Sequence, residues 1–206
     1  MTDPLRETIV EYGRSLYDRG LSPGTSGNLS VRLVDGFLIT PTNSSLGSLE
    51  AGRLSLLDAS GAHIEGDAPT EEAALHLALY DAHPDTRAVV HLHSPYAVAL
   101  SCLADVDPDD ALPALTPHYV MRVGRLPLVP YRRPGSPELL EALHTRARES
   151  RALLLQNHGP IVAAASLAEA VAAAEEIEEA AKVSLLLRGL PVRTLTDDEC
   201  GDLRQP

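Results

Sequence analysis

Lysine is almost missing from this chain. Lys182 is the sole example, in a Glu- and Ala-rich helical stretch one turn after Glu178, where it reads as half of a surface ion pair. A Schiff-base lysine must be desolvated or set beside another cation to be nucleophilic at neutral pH. Carbonyl chemistry carried by lysine is therefore not expected. Cysteine is scarce too. Cys102 and Cys200 stand far apart and form neither a disulfide framework nor a thiol-rich metal site, so a reduced, cytoplasmic setting is expected. No apolar run approaches the roughly 20 residues that cross a bilayer, and no basic, apolar and small-residue leader opens the chain. Positive charge is outnumbered, 17 Lys and Arg against 29 Asp and Glu for a net charge of -12. That balance opposes broad contact with nucleic acid or an anionic membrane. The expected partner is a small molecule.

The chain does have enough apolar material for one sizeable core. With 206 residues, 44% of them hydrophobic and 22% charged, residues 1–206 read as one globular domain.

The chemistry concentrates in Ala88-Val89-Val90-His91-Leu92-His93-Ser94, an apolar run that ends in two histidines one residue apart. Side chains alternate along a strand, so His91 and His93 share a face about 6.6 Å apart while Leu92 turns to the other layer. Two imidazoles on one face can close on a single metal ion, and they can equally be core histidines satisfied by hydrogen bonds. A second apolar run, Ala152-Leu153-Leu154-Leu155, stops at Asn157-His158-Gly159-Pro160 before Ile161 to Ala164 resumes a strand pattern. His158 thus sits at a turn beside a strand end, and is a candidate third ligand.

Elsewhere the patterns are plainer. Leu5 to Arg19 is an amphipathic helix stopped by Gly20. Ser22 to Asn28 is a Gly/Ser/Asn loop of the kind that can cradle an anion with backbone N–H groups. Leu29–Leu33 and Phe37–Thr40 read as strands paired through Asp35-Gly36, with the polar Pro41-Thr42-Asn43-Ser44-Ser45 following. Such a hairpin brings both loops to one edge. Leu54–Asp58 is a further strand, and a helix is expected from Thr70 to Ala82 with Glu71 and Glu72 in its first turn, where the dipole favours acids regardless of function. Tyr96–Leu103 reads as a helix, Val120–Val123 and Leu126–Tyr131 as short extended pieces, and Glu138–Glu149 as a helix. Ser166-Leu167-Ala168-Glu169 is a capping box opening a long helix to Arg188. A weaker helical start lies at Thr196.

Five motifs occur in one order across most of the chain: Thr25-Ser26-Gly27-Asn28-Leu29-Ser30, Asp35-Gly36 with Ile39-Thr40-Pro41-Thr42, Pro69-Thr70-Glu71-Glu72, Val90-His91-Leu92-His93-Ser94, and Asn157-His158-Gly159. In that order they resemble the class II aldolase/adducin family of metal-dependent enzymes acting on small sugar phosphates. The resemblance implies an α/β, three-layer αβα class II aldolase-like fold with a central, mainly antiparallel sheet, and homotetramers with active sites at subunit interfaces. It makes His91, His93 and His158 the metal ligands, for Zn²⁺ or another divalent first-row ion. Glu72 becomes the catalytic acid/base, able to approach the metal when substrate is absent. Gly27, Asn28, Thr42, Asn43, Thr70 and Glu71 fall where relatives hold the substrate phosphate. Two of these depart from the sugar-phosphate aldolase pattern, Asn43 standing for a glycine and Glu71 for a small hydroxyl residue. A carboxylate facing a phosphate repels it, so Glu71 is expected to contribute only its N–H. By the same analogy Tyr119 reaches a neighbour's site as a proton donor, although a tyrosine with a buried ring and hydrogen-bonded hydroxyl fits the sequence equally.

Within the family, Thr40 to Gly47 and Tyr119 to Tyr131 look most like the subgroup that decarboxylates 3-oxo-tetronate 4-phosphates, which implies a small phosphorylated sugar-acid substrate. A fuculose-phosphate-like aldolase and a ribulose-phosphate 4-epimerase are the neighbouring enzymatic readings. A non-catalytic adducin-like assembly module is the reading of another class, and it predicts a degraded metal set.

Overall fold

A computed structural model describes residues 3–204. Its eight strands form one sheet in the order β4-β3-β2-β1-β5-β8-β7-β6. The first four, β1 (Asn28–Arg32), β2 (Gly36–Ile39), β3 (Ser55–Asp58) and β4 (His63–Glu65), make an antiparallel meander. β5 (Ala88–His91) lies between β1 and β8 (Gly159–Ala164), antiparallel to both. β7 (Ala152–Leu155) pairs antiparallel with β8, and the edge strand β6 (Leu128–Val129) pairs with β7 in parallel. Prolines at 127 and 130 flank that short edge, which suits them because proline cannot donate to a ladder.

Helices cover both faces, giving three layers. On one face α1 (Pro4–Asp18), α3 (Pro95–Ser101), α4 (Pro117–Arg122) and α6 (Leu167–Leu186) bury Ile9, Leu16, Leu100, Val120 and Ile177 with Leu29, Val31, Val90 and Leu154 of the sheet. On the other, α2 (Ala73–Ala82) and α5 (Pro137–Ala147) bury Leu75, Leu79, Leu139 and Leu143 with Val89, Leu153 and Ile161. The central strands are apolar on both faces because both faces are roofed. α7 (Asp197–Leu203) closes the described chain behind a full capping box at Thr196 and Glu199. Among the described residues no helix is long and apolar enough to cross a membrane.

Several local expectations change. Val120–Val123 is not extended: Thr116 accepts from the Tyr119 N–H and Pro117 occupies the first turn, so the segment folds as α4. α2 begins at Ala73 rather than Thr70, since the Thr70 N–H is spent on the Thr40 carbonyl at 3.2 Å and a bridge joins Pro41 to Pro69. At Ser166 only the serine half of the capping box forms, its side chain accepting from the Glu169 N–H. Lys182 pairs with Glu179, not Glu178. Glu178 is 7% exposed, and its two oxygens accept the Tyr96 and Ala97 N–H groups at 2.9 and 2.8 Å. It caps the helix that follows His93.

Candidate metal centre

β5 carries the first ligand candidate. His91 ends the strand, fully buried, with Nδ1 2.8 Å from the Pro160 carbonyl. A carbonyl only accepts, so Nδ1 holds the proton and Nε2 presents its lone pair. His93, two residues on, turns to the same side and brings its Nε2 to 3.1 Å from that of His91.

The third imidazole arrives across the sheet through the β7–β8 hairpin. Asn157 adopts a left-handed φ of 58°, which asparagine tolerates better than most residues. Gly159, at φ 153°, lies so close to β5 that a Cβ there would sit 2.3 Å from the Leu92 carbonyl oxygen. This turn sets His158 Nε2 at 3.1 Å from His93 Nε2 and 3.4 Å from His91 Nε2.

Glu72 completes the group. Oε1 is 3.1 Å from His158 Nε2 and Oε2 3.4 Å from His91 Nε2. The four candidate ligand atoms all lie within 4.8 Å of one another. A tetrahedral ion with nitrogens at about 2.05 Å separates them by about 3.3 Å, so the observed spacings of 3.1 to 3.4 Å match what Zn²⁺ requires. Burial disfavours charge on His91, and it pushes His93 down to about 4, so both are neutral at neutral pH, as a metal ligand must be. Burial pulls Glu72 upward, but His91, His158 and the Asn28 amide outweigh it and hold the carboxyl well below its ordinary range. A cleft of about 580 Å³, bounded by Pro23, His93, Val98, Tyr131, Asn157 and His158, opens onto the centre.

The stretches expected to hold phosphate are linked through the backbone, the Thr40 N–H donating to the Leu29 carbonyl at 3.0 Å and a bridge joining Pro41 to Pro69. Gly27, at φ 74°, has no room for a Cβ, which would meet Ser22 Oγ at 2.1 Å and the His91 carbonyl at 3.0 Å. Asn43 is left-handed at φ 53°, which accounts for asparagine at a glycine position. The Thr42 N–H is committed to the Ala68 carbonyl, and Thr70 Oγ1 accepts from the Glu72 N–H at 3.3 Å. Both threonines offer hydroxyl donors. The Glu71 side chain is exposed.

Two expected residues make contacts within the single chain. Asn28 is 4% exposed with both ends of its amide occupied, Nδ2 by Glu72 Oε2 at 2.7 Å and Oδ1 by His76 Nε2 at 2.6 Å. In this structure its side chain contacts the carboxylate. Tyr119 is 1% exposed, and its hydroxyl donates to Asp110 at 3.3 Å. Burial and that carboxylate push the phenol above its usual range. It belongs to the core of its own chain and does not join the histidine cluster. The sequence pattern leaves His76 without a role and reads Glu178 as half of a surface pair. The helical spacing of Glu72, His76 and Tyr80 was the available signal for the first.

Comparison with known proteins finds relatives over nearly the whole chain. Residues 7–185 match the family model described as Class II Aldolase and Adducin N-terminal domain. A Haemophilus influenzae protein named 3-oxo-tetronate 4-phosphate decarboxylase is 50% identical over 205 residues, covering 98% of each chain. An Escherichia coli K12 protein named L-fuculose phosphate aldolase is 36% identical, covering 95% of this chain and 90% of its own. The crystal structure of YgbL from Klebsiella pneumoniae superposes with a TM-score of 0.94 at 46% identity, covering 97% of each chain.

Proposed function

The chain belongs to the class II aldolase/adducin family, and from that premise we propose that it decarboxylates 3-oxo-tetronate 4-phosphate to dihydroxyacetone phosphate and CO₂. It is a lyase, as are the relatives that resemble it over nearly their whole length. Five relatives that share the decarboxylase name are 44 to 50% identical to it, against 36 to 37% for fuculose phosphate aldolases. The observation carrying the reading is the convergence of three imidazole nitrogens and one carboxylate on a single point. An adducin-like scaffold has no use for that set.

The bond between the substrate's carboxyl carbon and C2 breaks, its electron pair moves onto the C3 carbonyl oxygen as CO₂ leaves, and C2 takes up one proton. His91, His93 and His158 would hold a divalent cation, and that ion would supply positive charge to stabilise the negative charge that develops, typically worth several kcal/mol. Zn²⁺ is the ion proposed, since three imidazoles with one position open is its usual catalytic donor set. Glu72 is the proposed acid/base group through which the proton is passed to C2. Gly27, Thr42, Asn43, Thr70 and the backbone of Glu71 form the proposed phosphate cradle, so that binding energy from the far end of the substrate aligns the breaking bond. Residues 1–206 are proposed to be one domain, since strands from both halves of the chain join one sheet. A homotetramer in the cytoplasm is the proposed setting, consistent with two free cysteines.

Incubation with 3-oxo-tetronate 4-phosphate should release CO₂ and consume one proton per turnover. Absence of CO₂, with cleavage of fuculose 1-phosphate instead, replaces this reading with the aldolase one.

A further inference from the structure

A line of hydrogen bonds runs from Glu72 into the core. Asn28 Nδ2 donates to Glu72 Oε2 at 2.7 Å, and Asn28 Oδ1 lies 2.6 Å from His76 Nε2. His76 Nδ1 lies 2.7 Å from Ser30 Oγ, which is 2.9 Å from the Tyr80 hydroxyl. Exposure along the line is 4% at Asn28, 1% at His76, 0% at Ser30 and 2% at Tyr80. Two elements supply it. Asn28 and Ser30 share one face of β1, and His76 and Tyr80 stand one turn apart on α2.

The carboxylate at one end dictates the sense of every bond. An ionised carboxylate only accepts, so the Asn28 NH₂ faces Glu72 and its oxygen faces His76. That oxygen also only accepts, so His76 carries its proton on Nε2. The lone pair left on Nδ1 takes the Ser30 O–H, and the Ser30 oxygen accepts from Tyr80. Turning the amide over would set its oxygen against the carboxylate and would require the His76 proton to move to Nδ1.

Nothing else fixes Glu72 so tightly. It precedes α2 as the N-cap residue, with no side-chain cap bond of its own. Its remaining partners, His91 and His158, are the proposed metal ligands, which leaves Asn28 as the donor not committed to an ion. We propose that His76 is a positioning residue for the reaction: through Asn28 it holds the donor end of the amide against Glu72 and so fixes the direction in which that carboxylate faces. The proposal rests on the reading of Glu72 as acid/base. Burial pushes His76 down to about 3, so the imidazole stays neutral and the arrangement persists at neutral pH.

His76→Leu, His76→Gln, Asn28→Ala, the double variant His76→Leu/Asn28→Ala and Glu72→Gln test it in the metal-loaded enzyme, with kcat, KM, metal content and thermal unfolding measured on each. His76→Leu should lower kcat roughly 10- to 100-fold, the range for a misdirected hydrogen bond to a charged group, with KM and metal content unchanged. His76→Gln, whose amide nitrogen reaches the place of Nε2, should recover most of the loss. In the Asn28→Ala background His76→Leu should cost less than about twofold more, because the two act as one unit. Equal losses in both backgrounds, or a loss that follows lowered metal content, overturn the proposal. A readout independent of turnover is the histidine tautomer: ¹⁵N spectra of the metal-free protein should show His76 protonated on Nε2, and protonation on Nδ1 overturns the proposal even if His76→Leu fails to fold. Glu72→Gln with full activity overturns the reading of Glu72 itself. Glu72→Gln inactive beside a fully active His76→Leu overturns the role of His76 alone.

Discussion

Gly159→Ala should empty the metal centre without touching a ligand. The added Cβ would stand 2.3 Å from the Leu92 carbonyl oxygen and 3.4 Å from the His93 Cα, and relief to 3.0 Å needs about 0.7 Å of movement. Leu92 lies between two of the imidazoles, and Gly159 directly follows the third. The displacement therefore falls on the 3.1 to 3.4 Å spacings between the ring nitrogens. Metal–ligand distances tolerate only about 0.2 Å. Affinity should drop at least 10-fold, comparable to losing a residue that orients a ligand, and the backbone strain at φ 153° should cost about 1–3 kcal/mol of stability. Gly189→Ala is the control, since its φ of 79° carries the backbone penalty but no atom lies within 4 Å of the new Cβ. Metal bound per chain, after dialysis against a competing chelator, checks both. Equal metal content in Gly159→Ala and wild type would falsify the argument that the close approach of the two strands sets the ligand spacing.

Chelation should lower the melting temperature by roughly 5–10 °C, because an ion at about 100 times its Kd contributes about 2.7 kcal/mol, and each kcal/mol moves a domain of this size about 2–4 °C; calorimetry with and without chelator measures it. Glu178→Ala leaves the half-buried Tyr96 N–H and the buried Ala97 N–H without acceptors and should cost about 2–4 kcal/mol in urea unfolding, with Glu178→Gln recovering about half. Burial in the fold pushes His76 down from an ordinary 6.5 to about 3. Because that folded value is depressed, the unfolded chain takes up the proton first, so its contribution is complete above pH 6.5 and falls by about 1.4 kcal/mol per unit as pH drops toward 3. Urea midpoints of the metal-free protein from pH 7 to 4 should show this slope, and an equally steep slope in His76→Gln would reject it.

The sheet was legible where short-range patterns decide it. The Asp35-Gly36 hairpin, the apolar run into His91 and the helix capped at Ser166 all form at their expected places. The three histidines meet because alternation along β5 and the tight Asn157-His158-Gly159 turn are local facts. The rest depends on partners that only the fold brings near. α4 hides behind a threonine cap and a proline in a β-branched stretch. Glu178 has a surface-pair spacing, yet its partners are 81 and 82 residues away. Asn28 has the composition of an anion loop, and only the arrival of His76 and Glu72 shows where its amide is spent. Tyr119 is legible as a tyrosine near the right motif. Its neighbour Asp110 is what turns it inward.

β5 sits at the seam of the sheet, joining β1 some 60 residues before it and β8 some 70 residues after it. Each outer ribbon can zip up from short connections, but neither owns a full set of donors until that middle strand slides in between. A chain stalled halfway through assembly would thus have no grip on an ion, and metal offered during refolding would mark finished molecules only.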